Sequence, residues 1–240
     1  MEVHHHPHVE KKGFKEYFLE FIMIFLAVSL GFFAEGLRET IKDHKKAHEY
    51  IQSFYEDLKA DTAKISEVVH FDDEKLKVLN NVSSCYDTVS ENPDSASCLF
   101  SIVKSTLSNM PFQITERTLQ QLATADGFRI LQKEDADSIV KYVQGFNYIR
   151  DFQSTGYQQA QDDVRQMAGA VMNVKANLQL FNPHLEGEFL YSHDKALLNK
   201  YFNDLIRYQG FTHAQRKILK QFENDQMQML RYFRNKYHFE

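Results

Sequence analysis

The side chains able to do chemistry in this chain are few and scattered. His4, His5, His6 and His8 put four imidazoles within five positions, and neutral imidazoles bind Zn, Ni or Cu. No cysteine accompanies them, and nothing nearby imposes a tetrahedral arrangement. The cluster reads either as a solvated tail with incidental metal affinity, as a metal or pH sensor, or as residues foreign to the fold. His44 and His48 stand one helical turn apart, but two ligands make a weak site, so they read as a solvated helix face. The two cysteines, Cys85 and Cys98, flank an Asn92-Pro93-Asp94 turn signal. They either pair in an oxidising compartment or are two unrelated buried thiols. Asp72-Asp73 and Asp162-Asp163 are adjacent acids, which do not face each other on a helix and read as solvated. Glu116-Arg117 beside Thr115 reads as capping. The chain has no glycine-rich phosphate loop, GxSxG, HExxH or CxxC pair, so the residues imply neither an enzyme nor a cofactor.

The remaining ionisable candidate is Glu20, at the edge of FLEFIMIFLAVSLGFFAE. Between Phe21 and Ala34 only Ser29 is polar. Extended from Tyr17 to Leu37 the run is about 21 residues, or roughly 31 Å of helix, which matches the apolar thickness of a bilayer. Glu20 and Glu35 then lie near the two interfaces, where a charge costs much less than at the centre. Cleavage after Ala34 would place Phe32 at the −3 position, which fits a signal peptidase badly. The expectation is an uncleaved transmembrane helix over 17–38. At 100° per residue Glu20, Ala27, Gly31 and Arg38 fall on one line, flanked by Ile24, Ala34 and Glu35. Ala27 and Gly31 form a small-xxx-small pair that lets two membrane helices approach closely, while Met23, Phe25 and Phe32 face the other way. This face (Glu20, Ala27, Gly31, Ala34) reads either as chance, as a self-association surface, or as a pore lining with Glu20 at its mouth.

The elements that would position these groups are helical. Nine glycines and four prolines in 240 residues, with abundant Gln, Lys, Glu, Leu and Ala, favour helix over sheet. Ile51, Leu58 and Ile65 recur every seven residues, with Phe54, Tyr55, Val68, Val69 and Leu76 between them, a pattern with coiled-coil character. A long helix is expected out of the membrane to about residue 80, then a shorter one to about Ser90 and another near 97–108. Thr115 is expected to cap a helix that Gly127 ends, and KEDADS to open the next. Helix is expected from Ala136 to about Leu180, bent at Gly145 and Gly156 and broken at Asn182-Pro183. GEFLY (187–191) reads as a short isolated extended piece. Ser192 is expected to cap a helix ended at Gly210, and Thr212 a last helix whose stripe holds Ile218, Phe222, Met229 and Phe233.

The expected architecture is therefore all-α: a tail at 1–16, one transmembrane helix at 17–38, and a helical-bundle domain at 39–240. Residues 1–46 hold equal numbers of acidic and basic side chains, so the downstream domain carries the whole net charge of −5. That excludes a basic field for nucleic acid. The lysines and arginines flanking the span do not choose an orientation.

FLEFIMIFLAVSLGFFAEGLRE followed by HEYIQSFYEDLKADTAKI resembles a family of uncharacterised Gram-negative membrane proteins, a domain of unknown function. Tyr50, Asp57, Leu58 and Asp61 fit that family's pattern after the span, and RTLQQLATADGFRILQKEDADSIVKYVQGF resembles a later segment of it. The His-rich tail departs from it. The resemblance implies a short cytoplasmic N-terminus, one inner-membrane span and a helical periplasmic domain, and it implies no activity. Together these readings suggest a non-enzymatic envelope protein, a self-associating scaffold, assembly factor or sensor whose partners are the membrane and either its own copies or another envelope protein. An oligomeric channel with a Glu-lined mouth and a His-tail metal sensor are the rival expectations.

Overall fold

The computed structural model describes residues 13–124, 127–179 and 188–240, and within these the chain is all-α. Helix α1 (Phe14–Leu79) is uninterrupted for 66 residues, about 100 Å. Its first part touches little of the chain. From Ile51 onward it buries Ile51, Phe54, Leu58, Ile65, Val68 and Leu76. Two short helices follow, α2 (Val82–Glu91) and α3 (Leu99–Leu107), joined by a 3-10 turn over Pro93–Cys98. Next come α4 (Arg117–Leu122) and α5 (Lys133–Phe152). A π-turn at Gln153–Tyr157 carries α5 directly into α6 (Gln158–Val171). The short α7 (Val174–Gln179) precedes α8 (Lys195–Tyr237).

Three long elements make a bundle. α1 and α5–α6 run the same way, and α8 returns against both: Gln215 meets Asp72, Tyr208 meets Lys75 and Tyr157, and Tyr232 meets Asp135. The fourth element runs back down the bundle in pieces. It is helix in α3, non-helical over 108–116, and helix again in α4. The non-helical stretch starts at the level of Lys75 and ends at the level of Asp61, because Lys75 donates to the Ser108 carbonyl and Thr115 donates to Asp61. Those α1 positions are about 21 Å apart along the helix axis, and seven residues cover the distance only when nearly extended.

The core has two apolar halves. The one near the span joins Ile51, Phe54 and Leu58 to Phe112, Tyr142, Phe146, Phe222 and Phe233, with rings meeting mostly edge to face. The far half joins Leu79, Val89, Leu99 and Ile102 to Tyr157, Val164, Tyr201 and Leu205. Between them lies a buried polar layer of Asp72, Lys75, Gln153, Gln161, Thr212 and Gln215.

Several expected boundaries differ. Gly210 does not end a helix: α8 continues through it, capped at its start by Asp194, which accepts from Ala196 N and Leu197 N at 2.7 and 3.0 Å. Tyr208 and Thr212 on either side are fully buried, and Thr212 Oγ1 donates back to the Tyr208 carbonyl. Packing on both sides outweighs glycine's cost of about 1 kcal/mol. Thr115 is not the cap of α4: its N–H and hydroxyl are both held by Asp61, and the helix starts after Glu116 and ends at Leu122, before Gly127. Gly145 does not bend α5. It makes room for Phe222, whose ring lies 2.6 Å from where a Cβ would stand. The helix expected to run to Leu180 stops at Met172, which bridges Leu190 of the extended GEFLY piece.

The two kinds of helical glycine respond oppositely to alanine. Gly145→Ala, which overpacks Phe222, is expected to lower stability by about 1–3 kcal/mol. Gly210→Ala meets nothing within 4 Å and is expected to raise it by roughly 0.5–1 kcal/mol. Thermal melts of the two variants in one detergent check the pair; shifts of the same sign would contradict this packing.

Candidate functional site

The broken fourth element leaves helix ends inside the protein, and buried polar groups must be paired. Where α3 ends, Gln161 and Arg165 donate to the Thr106 carbonyl at 2.8 and 3.3 Å, Arg165 to Leu107 at 2.6 Å, and Lys75 to Ser108 at 2.8 Å. Where α4 begins, Asp57 accepts from the Thr118 hydroxyl at 2.5 Å, the Thr118 N–H at 3.3 Å and Arg117 at 2.9 Å. One turn on, Asp61 accepts from Thr115 N and Oγ1, Tyr142 OH and Lys64. Cations thus stand at a helix C-terminus and carboxylates at a helix N-terminus, the favourable sense at both. Asp61→Ala would leave the buried Tyr142 hydroxyl and the half-buried Thr115 N–H without this acceptor. It is expected to cost roughly 2–4 kcal/mol in denaturant unfolding; a loss under 0.5 kcal/mol would remove Asp61 from this role.

Lys75 is the centre of the polar layer. Its ammonium donates to Tyr208 OH at 2.8 Å and Tyr157 OH at 3.0 Å as well as to Ser108, using all three protons. The rings of Phe71, Tyr208 and Tyr157 lie 4.8 to 5.6 Å from it. Burial pulls its pKa down to about 8, while Asp72 opposes that shift. Asp72 accepts from Gln215 at 2.9 and 3.2 Å, and burial pushes its carboxyl up to about 6 against the Gln215 hydrogen bond and the Lys75 charge. Burial also raises Tyr157 to about 12. A depressed lysine between two phenols is the raw material of a nucleophile or base. Here, however, Lys75, Tyr157 and Tyr208 line none of the main grooves, and their hydrogen bonds hold helices together.

The acid-layer titration has a sign. The folded pKa of Asp72 lies above the unfolded value, so folding takes up a proton between about pH 4 and pH 6, and stability falls as pH rises through that window. The amplitude is about 3 kcal/mol. Asp72→Asn should lose this limb and keep the Gln215 contact, as urea titrations at pH 4 and pH 7 would read; an unchanged slope would refute the assignment.

The sequence-predicted site residues are not gathered into one site. Glu20, Ala27, Gly31 and Ala34 lie on the exposed first part of α1, and a Cβ at Gly31 would meet nothing within 4 Å. The bulky residues around them, from Phe14 to Ile41, are likewise exposed, so the described chain does not cover this apolar length. It is the one segment among the described residues long and apolar enough to cross a membrane. Glu35 and Arg38 pair at its end at 2.6 Å. Cys85 and Cys98 form a disulfide, Cα–Cα 5.7 Å, that ties α2 to the Pro93–Cys98 turn far from the span. His4, His5, His6 and His8 lie outside the described residues. His48 sets its ring edge-on to Tyr237 and Phe239, each 5.6 Å away. Among the described residues no group of His, Cys, Asp or Glu is arranged to hold a metal.

The two acid pairs, both expected on solvated faces, differ in burial. Asp162 and Asp163 stay near the surface, where Arg165 and Arg207 approach them. Asp72 is wholly buried, and Asp73 pairs with Arg216. The signal was available. The seven-residue series of Ile51, Leu58 and Ile65 continues to Asp72 and Leu79. The companion series from Phe54 runs through Asp61, Val68 and Lys75. Every one of these is buried.

Two grooves flank the non-helical segment. One, of about 630 Å³, lies between residues 109–116 and the π-turn. The other, of about 400 Å³, continues between α4 and α5 and is mostly apolar. Comparison of the chain with protein-family models, with curated proteins and with solved structures found no match.

Proposed function

We propose that the protein is a non-enzymatic, single-pass inner-membrane protein of the bacterial envelope, a self-associating scaffold, assembly factor or sensor. The observation that carries this is the continuity of α1: one unbroken helix is apolar and uncovered over its first part and is the central strut of the bundle over the rest. An apolar helix that its own chain does not cover is suited to lipid or to other copies of itself. The resemblance of the span and of the Tyr50–Asp61 stretch to an uncharacterised membrane family supports the same reading. Asp57 and Asp61, which carry part of that resemblance, have a structural use here as the acceptors that fasten α4.

The N-terminus is placed in the cytoplasm and the bundle in the periplasm. The Cys85–Cys98 disulfide supports that orientation, because such bonds persist in oxidising compartments. The Ala27/Gly31 face pairs spans, and the rigid helix carries that pairing into the bundle.

Full-length protein in mild detergent is expected to be an oligomer by light scattering, and Ala27→Leu with Gly31→Leu to reduce it to a monomer. Phe25→Leu on the opposite face is expected to change nothing. A monomeric wild type would sink the self-association reading and leave α1 as a tether. Release of the protein from membranes by alkaline carbonate would sink the anchor itself.

A further inference from the structure

The non-helical segment 109–116 has a feature that capping does not account for. Its two ends are fastened, at Ser108 by Lys75 and at Thr115 by Asp61. Between them, among the described residues, the backbone N–H and C=O groups of 109–114 make no hydrogen bond within the protein. Phe112 anchors the middle, 2% exposed in the core half near the span, while Met110, Pro111 and Gln113 are exposed. A nearly extended stretch is therefore held rigidly at three points with its main chain unpaired.

That stretch forms one wall of the 630 Å³ groove. The other wall comes from Phe146 and Arg150 of α5, Gln153 and Ser154 of the π-turn, and Gln158 of α6. The π-turn puts an extra residue into the helix at this level, a device that recurs at binding sites. The groove also holds a side-chain atom with no use inside the protein. Among the described residues Asn109 Oδ1 is buried without a hydrogen-bond partner, and such an atom costs about 1–3 kcal/mol until a donor reaches it.

We propose that this groove binds an extended polypeptide segment of another protein, which adds as a strand to the 109–114 backbone. The unpaired main chain selects this occupant. Its donors and acceptors repeat at the spacing of a peptide, and another peptide backbone is the ligand that matches them. The side-chain chemistry follows from the walls. A donor, such as a Ser, Thr or Asn side chain, answers Asn109 Oδ1. An apolar side chain lies against Phe112 and Phe146, whose rings meet edge to face at 6.0 Å. Glu116 and Arg150 put one charge of each sign on the lining, so the segment carries no strong net charge. Pro111 has no N–H, so pairing centres on Phe112, Gln113 and Ile114. The site stands whether or not α1 crosses a membrane.

The test uses the full-length protein in detergent and a displayed library of linear heptapeptides, from which a binder is selected and synthesised. Hydrogen exchange is read at the Phe112, Gln113 and Ile114 amides. All three are expected to exchange rapidly in the free protein. With peptide bound, alternate amides, either Gln113 or the pair Phe112 and Ile114, are expected to exchange at least tenfold more slowly, because successive N–H groups of an extended chain point to opposite edges. Methylating the peptide's backbone nitrogens one at a time should weaken binding at least tenfold at alternate positions only. Gln113→Pro in one register, or Ile114→Pro in the other, removes one paired N–H at a protected position and should weaken it similarly, with a thermal melt confirming that the variant folds. The proposal is overturned if no peptide binds, or if a peptide binds while all three amides still exchange freely. Tolerance of N-methylation at every position would overturn it too. Protection of the same amides in the free protein would show the groove filled by the chain itself and would equally overturn it.

Discussion

A polypeptide cannot break a helix inside a packed bundle without pairing the backbone groups that the break exposes. Most of the interior of this protein follows from that constraint. The fourth element stops at Leu107 and resumes at Arg117, and the polar residues of the other three elements lie where the loose ends are. Lys75, Gln161 and Arg165 meet carbonyls; Asp57 and Asp61 meet amides and hydroxyls. None of these side chains would be tolerated in a purely apolar coiled coil. Each costs desolvation, which its hydrogen bonds offset. Such positions fix register more than they add stability, since a shift of α1 by one turn would strand Asp57, Asp61 and Lys75, and a shift of α6 would strand Gln161 and Arg165.

The same logic explains the polar layer between the two core halves. Apolar packing alone would let the long helices slide along one another with little penalty. Asp72 with Gln215, and Lys75 with Tyr157 and Tyr208, allow one alignment of α1, α5–α6 and α8. The π-turn beside this layer holds Gln153 and Tyr157, both buried, and carries one residue more than an α-helical turn would. Gly156 within it lies close under Phe211, so the irregular turn is also packed.

The continuity of α1 has a mechanical consequence. No glycine, proline or loop separates the apolar first part from the packed second part after Gly36. A rotation or tilt applied at one end is transmitted to the layer at Asp72 and Lys75 instead of being absorbed at a hinge. The disulfide, at the far end of the bundle, secures the short α2–α3 connection.

Composition and periodicity were enough for the helical class, for the apolar first part of α1, for the long helix after it and for the start of α5, because each rests on local residue spacing or on carboxylates at a helix N-terminus. That the two parts of α1 join without a break is a finding of the structure. The positions of Asp61, Asp72 and Lys75 were also legible, since they occupy core places in the seven-residue series. Their identity as polar residues argued the other way, and burial could not be read from spacing alone. What tertiary structure alone decided is which ends meet. Thr115 looks like a helix cap in isolation, but Asp61 from another helix takes both its donors. Gly210 looks like a stop, but burial of Tyr208 and Thr212 on either side carries the helix through. Gly145 looks like a bend and is instead the space for Phe222. In each case a local preference of about 1 kcal/mol was set against several long-range contacts, and the larger sum prevailed.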